Sequence, residues 1–125
     1  MILKAILNEI DSSVSALTLG TNLFGVQGRL DKCVVVNMTY NSGEPTIPEL
    51  HYASVQALVK GYGVEDGYNM AISVANAILS TEASEIADGT NKYQVMSTTI
   101  KNWPLSYTTD KGVVYTTNIA ITYKT

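Results

Sequence analysis

The chain predicts an α+β domain: a mixed, mostly antiparallel sheet of four or more strands, with two helices packed on one face, in the order α-β-β-α-β-β. Three observations carry this. Segments 2–17 and 68–79 repeat apolar residues every three or four positions, the period of one helical face. Segments 33–40, 51–60 and 93–100 are short β-rich runs. The final segment alternates over 113–124, with Val113, Tyr115, Thr117, Ile119, Ile121 and Tyr123 on one side, and a helix would scatter those groups around its axis. At 125 residues the whole chain, 1–125, reads as one domain that buries about two thirds of its unfolded surface.

In the first helix Ile2, Leu3, Ile6, Leu7, Ile10, Val14 and Leu17 form the apolar stripe, and Gly20 is the expected terminator. GTNLFGVQGRLDK, with no steady period, reads as a loop that reaches another element or a neighbouring subunit. CVVVNMTY is the first strand. NSGEPTIPEL carries Pro45 and Pro48 and reads as a projecting loop, because proline removes a ladder donor. HYASVQALVK follows as a strand with Ala53, Val55, Ala57 and Val59 on one face. After the turn at Gly61–Gly67 comes the second helix, with Tyr68, Ala71, Ile72, Ala75, Ile78 and Leu79 on its stripe. Residues 80–92 read as a polar linker, YQVMSTTI as a strand, and KNWPLSYTTDKG as a long connection turning at Asp110–Gly112.

The turn GYGVEDG is the one place where a ligand motif comes close. A dinucleotide fingerprint needs G-x-G-x-x-G, whereas Gly61, Gly63 and Gly67 leave three residues before the last glycine. Glu65 and Asp66 stand where the helix begins, suit its N-terminal dipole, and serve as candidate caps. They would repel a phosphate. The turn is a corner, not a cradle.

Other chemistry fares no better. His51 is the single histidine and Cys33 the single cysteine, so neither a zinc set nor an internal disulfide can be assembled. Cys33 lies in an apolar run and reads as a buried thiol in a reducing compartment. Serines lack a G-x-S-x-G elbow, and the carboxylate pairs Glu65/Asp66 and Glu82/Glu85 are better explained at helix ends. No catalytic, cofactor-binding or metal residue is expected. The net charge of −3, with eight scattered basic residues, argues against nonspecific nucleic-acid affinity. With no apolar run of membrane-spanning length and no signal-peptide core, the chain reads as cytoplasmic. The low charged fraction, 15%, leans toward an assembly subunit. Trp103, in a polar connection, reads as the plug of a hydrophobic notch, either in its own fold or in an adjacent subunit.

Residues 22–45, NLFGVQGRLDKCVVVNMTYNSGEP, resemble the helix, glycine loop, strand and glycine/proline loop of one family: the tail terminator, or minor tail and head–tail completion, proteins of long-tailed bacteriophages and prophages. Lys60-Gly61 stands where an arginine–glycine pair is common there. IKNWPLSYTTDKGVVYTTNIAITY resembles that family's ending of proline, spacer, aspartate–glycine and long strand. The likeness spans almost the full length. It implies a non-enzymatic subunit without cofactors, forming a ring, generally hexameric, that caps the tail tube and joins it to the head. Implied partners are further copies of the chain, the tail tube protein and a head-completion or neck protein. DNA would pass through the ring without specific binding, helped by an acidic inner face, and no membrane is involved. The implied location is the virion tail or neck, after assembly in the bacterial cytoplasm. Interface candidates lie in the connections: Phe24, Arg29, Glu44, Tyr62, Trp103, Leu105 and Tyr107. The competing readings are a non-viral adaptor or binding subunit and, third, a small hydrolase.

Overall fold

The apolar stripe at the start of the chain forms helix α1, Ile2–Ser13, with Ile2, Leu3, Ala5, Ile6, Leu7 and Ile10 buried. The computed structural model describes residues 2–25 and 31–125. Strands β1 (Leu23–Phe24), β2 (Cys33–Glu44) and β3 (Ile47–Lys60) follow, then helix α2 (Val64–Leu79) and strands β4 (Glu85–Ala87), β5 (Lys92–Thr109) and β6 (Gly112–Lys124). The expected succession is kept, and the short β1 and β4 are added to it.

The six strands form one sheet in the order β1-β2-β3-β6-β5-β4, bent into a half-barrel with both helices packed against it. Only β1 and β2 pair in parallel; the other neighbours are antiparallel. The core lies between sheet and helices. Val34, Val36, Ala53, Val55, Ala57, Val59, Ile119 and Ile121 meet Ile6, Ile10, Val74, Ala75 and Ile78 there. Alternation on β3 and β6 thus delivers one face to the helices, as the period of two requires. Burying an Ile or Val side chain stabilises by about 1.5–3 kcal/mol, so this layer dominates the energetics.

Several expectations are corrected. NSGEPTIPEL is not a loop: β2 runs to Glu44 and β3 starts at Ile47, leaving Pro45 and Thr46 as the turn. Pro48 is tolerated because it lies beyond Leu50, where pairing with β6 stops, so no rung to that strand needs its N–H. The 101–109 connection is likewise strand. β5 continues to Thr109, with register shifts between Val95 and Ser97, Ile100 and Asn102, and Asn102 and Leu105. These bulges absorb Trp103 and Pro104 without ending the strand. Residues 80–92 include β4, which pairs with the start of β5. Helix α1 ends at Ser13, well before Gly20. Leu17 is buried all the same, in a turn where its N–H donates to Val14 O at 3.0 Å.

The turn before α2 is a close-packed corner. Gly61 and Gly63 have φ of +83° and +85°, a region that favours glycine. A side chain at Gly61 would collide with the backbone of Asp31 and Lys32. Gly67 lies against the ring of Tyr115, whose hydroxyl donates to Val64 O at 2.6 Å. Glu65 and Asp66 sit in the first turn of α2, but neither caps it: the N-cap is Gly63, with no side-chain hydrogen bond. Their contribution is to the dipole alone. Cys33 is a buried thiol that forms no disulfide. Burial pushes its pKa up, against the pull of nearby Lys60, and Asp31 adds to the rise. The thiol therefore stays protonated and unreactive at neutral pH.

Candidate assembly surface

Two long hairpins define the sheet's outline. β1 covers the outer edge of β2 only at Val34 and Val35. β4 covers the outer edge of β5 only at Lys92, Tyr93 and Gln94. Beyond β4 the cover continues a little: Val95 N–H donates to Ser84 O at 2.9 Å, and Thr98 N–H donates to Glu82 Oε1 at 3.0 Å. The upper part of β2 and the lower part of β5 pair with no outer strand among the described residues. An uncovered edge is a template for another strand.

The exposed large apolar side chains gather on these hairpins. Tyr40, Ile47 and Tyr52 belong to β2–β3, and Met96, Trp103, Leu105 and Tyr107 to β5, leaving only Val64 and Tyr68 elsewhere among the described residues. Leu105 is 63% exposed, Tyr40 55%, and Trp103 and Tyr107 49% each. Trp103 therefore does not fill a notch in its own fold. Its bulge faces the position of Thr117, whose hydroxyl oxygen is buried without a hydrogen-bond partner.

The middle of the helix-free face of the sheet is polar. One row across the four long strands is made of amides: Asn37 opposes Gln56, Gln56 opposes Asn118, and Asn118 opposes Asn102. Asn118 Nδ2 donates to Asn102 Oδ1 at 2.7 Å, and Asn102 Nδ2 reaches Thr116 O at 3.2 Å. Lys101, released from the rungs by its bulge, donates from Nζ to Ser54 Oγ at 2.9 Å. This face therefore carries a lysine near its centre.

The remaining candidates are dispersed. Glu44 sits at the tip of the first hairpin, accepting from Tyr52 OH at 3.1 Å and Thr46 Oγ1 at 3.2 Å. Phe24 is a half-buried β1 residue beside Val35. Tyr62 is half-buried, with Lys32 Nζ 4.9 Å above its ring. Trp103, Leu105 and Tyr107 share one strand, as the structure alone reveals. Arg29 lies outside the described residues. Tyr40, Ile47 and Met96 went unnoticed in the sequence, where they resemble ordinary strand residues.

Elsewhere among the described residues no metal-binding cluster emerges. Among the described residues, no group of three or more His, Cys, Asp or Glu could hold a metal ion. His51 lies inside β3, stacked on Tyr123 with ring centroids 5.1 Å apart. A groove of about 780 Å³ runs along α2 past Ser13–Ala16, lined by Asp66, Asn69, Ser73, Asn76 and Ser80, where the Ser73 and Ser80 hydroxyls donate to the carbonyls of Asn69 and Ala77. Among the described residues no helix is long and apolar enough to cross a membrane.

No family model matches the chain, and no curated protein matches it in sequence. Among solved structures it is similar to a chain from the virion of a native gene transfer agent particle, with a TM-score of 0.55 over 98% of this chain and 92% of that one, at 10% identity. The two share a fold.

Proposed function

We propose that this protein is a non-enzymatic structural subunit of a phage-like particle, forming an oligomeric ring that caps the tail tube and joins it to the head. The observation that carries the reading is the end-to-end likeness of fold to a chain that resides in a gene transfer agent virion. The surface supports it, since most of the exposed apolar side chains lie on two hairpins whose outer strands, β2 and β5, have partly uncovered edges at opposite sides of one sheet. A heterologous contact between different patches is the kind that closes into a ring. The resemblance of residues 22–45 and 100–123 to tail terminators supplies the position, and six copies is the number it favours. The tube protein and a neck or head-completion protein are the further partners, in the virion tail or neck, and DNA traverses the ring without specific recognition.

The test is light scattering with negative-stain imaging of the purified chain, alone and with tube protein. Rings, free or seated on tube ends, are expected. Permanent monomers that ignore tube ends refute the proposal.

A further inference from the structure

We propose that copies of this chain join edge to edge, the upper part of β2 in one copy pairing antiparallel with the lower part of β5 in the next, with Tyr40 set against Tyr107. This rests on the ring reading above and assigns its joint.

Strand directions permit it. β2 is antiparallel to β3, β3 to β6 and β6 to β5, so β2 and β5 run in opposite senses at opposite edges. Rotation about a ring axis inclined to the strands brings β5 of a neighbour beside β2 as an antiparallel partner. The accessible stretches are also the regular ones. On β2, Tyr40–Gly43 follow the bulge and oppose Ser54–His51 in unbroken register. On β5, Leu105–Thr109 oppose Thr116–Gly112 in unbroken register. On β2, β1 covers Val34 and Val35 and a bulge follows Met38; on β5, β4 covers the start, and bulges and Pro104 interrupt the stretch up to Leu105, which discourages pairing there.

Side-chain faces then restrict the register to every second rung, and Tyr40 against Tyr107 is one that they allow. Tyr40 opposes Ser54, and Tyr107 opposes Val114, which opposes Lys60. Ser54 and Lys60 are both on the helix-free side of β3, because Ala53, Val55, Ala57 and Val59 take the core side. Placing Tyr107 against Tyr40 keeps every residue on its own face, as a continuous sheet demands. Leu105 then opposes Ser42 and lies diagonal to Tyr40, within reach of an aromatic ring. The pairing covers side chains that are 55%, 49% and 63% exposed in the single copy.

The displacement fits a closed sheet. Tyr107 lies level with Cys33 across β6 and β3, so meeting Tyr40 moves the neighbour along β2 by about six rungs, or roughly 20 Å. Four long strands span about 19 Å across the sheet, so the strands tilt at roughly 45° to the ring axis, at the upper end of the barrel range.

The experiment is oxidative cross-linking in a Cys33→Ala background. The double variant Tyr40→Cys/Tyr107→Cys should give a ladder of multimers that reductant collapses. A mixture of the two single variants should stop at dimers, and neither single variant should link alone. Tyr40→Cys/Ser106→Cys, whose second thiol faces the other side, should not link. A charge test runs alongside: Tyr40→Glu should weaken association at least tenfold, and adding Tyr107→Lys in the same chain should restore it. Rings by light scattering with no ladder and no charge rescue overturn this joint while leaving the ring reading standing. Cross-links from Tyr107→Cys to tube protein alone also overturn it. Absence of any assembly overturns both.

Discussion

Replacing Gly61 and Gly63 separately with alanine probes the corner that aims α2 and the sheet. The two glycines have nearly equal φ, +83° and +85°, but different surroundings. Gly63 has φ +85° and ψ −176°, a backbone region almost restricted to glycine, so alanine there costs about 1–3 kcal/mol. Nothing lies within 4 Å of its added methyl, so strain is the whole penalty. At Gly61 the methyl would overlap Asp31 O and lie 2.6 Å from Lys32 Cα. Those are backbone atoms of a second segment, so the added methyl forces main chain apart at this corner. Left-handed strain of about 1–2 kcal/mol is then joined by displacement of that contact, for a total of at least ~4 kcal/mol. Urea unfolding followed by circular dichroism measures both, with an unchanged denaturant slope marking a pure stability effect. Gly61→Ala should unfold at clearly lower urea than Gly63→Ala. Equal midpoints, or a Gly61→Ala midpoint within error of the parent, refute the close-packed corner.

Trp103→Ala should cost folding only about 1–2 kcal/mol, roughly half the penalty of a buried tryptophan, because the ring is 49% exposed; any larger loss should appear in assembly, measured by sedimentation. Thr117→Val should stabilise by about 1 kcal/mol, since it removes a buried hydroxyl without a partner and keeps the shape; thermal melting reads the sign. Asp88 accepts from Asn91 N–H at 2.7 Å and Thr90 N–H at 2.8 Å, and the Asn91 bond, foremost, holds its pKa well below the usual carboxylate range. Lowered in the folded state, this group contributes stability that is complete above its unfolded pKa of about 3.9 and is lost as pH falls toward the folded value. Carboxyl NMR titration should place its midpoint well below that of a free aspartate, and an ordinary midpoint refutes the turn.

Much of the fold was legible because periodicity survived. β6 alternates without a bulge on its own strand, and β3 sends four small apolar residues to one face. β5 was read only to Ile100 because its bulges shift the phase of alternation, so that Trp103, Pro104 and Leu105 look like a loop. β1 and β4 are too short to show a period. The end of α1 was misplaced because Val14 and Leu17 keep helical spacing although turn packing buries Leu17. At the assembly surface, Trp103 stood out by composition. Tyr40 did not, since strict alternation from Val34, Val36 and Met38 would place it in the core. The bulge at Thr39 turns it to the opposite face, and no residue type announces that bulge.

Cryo-electron microscopy of intact particles made by cells carrying this chain tests its proposed role most directly. A closed ring of these subunits between tube and head, at a resolution that traces both hairpins, is the outcome predicted. Particles complete at that junction but lacking the polypeptide would contradict it.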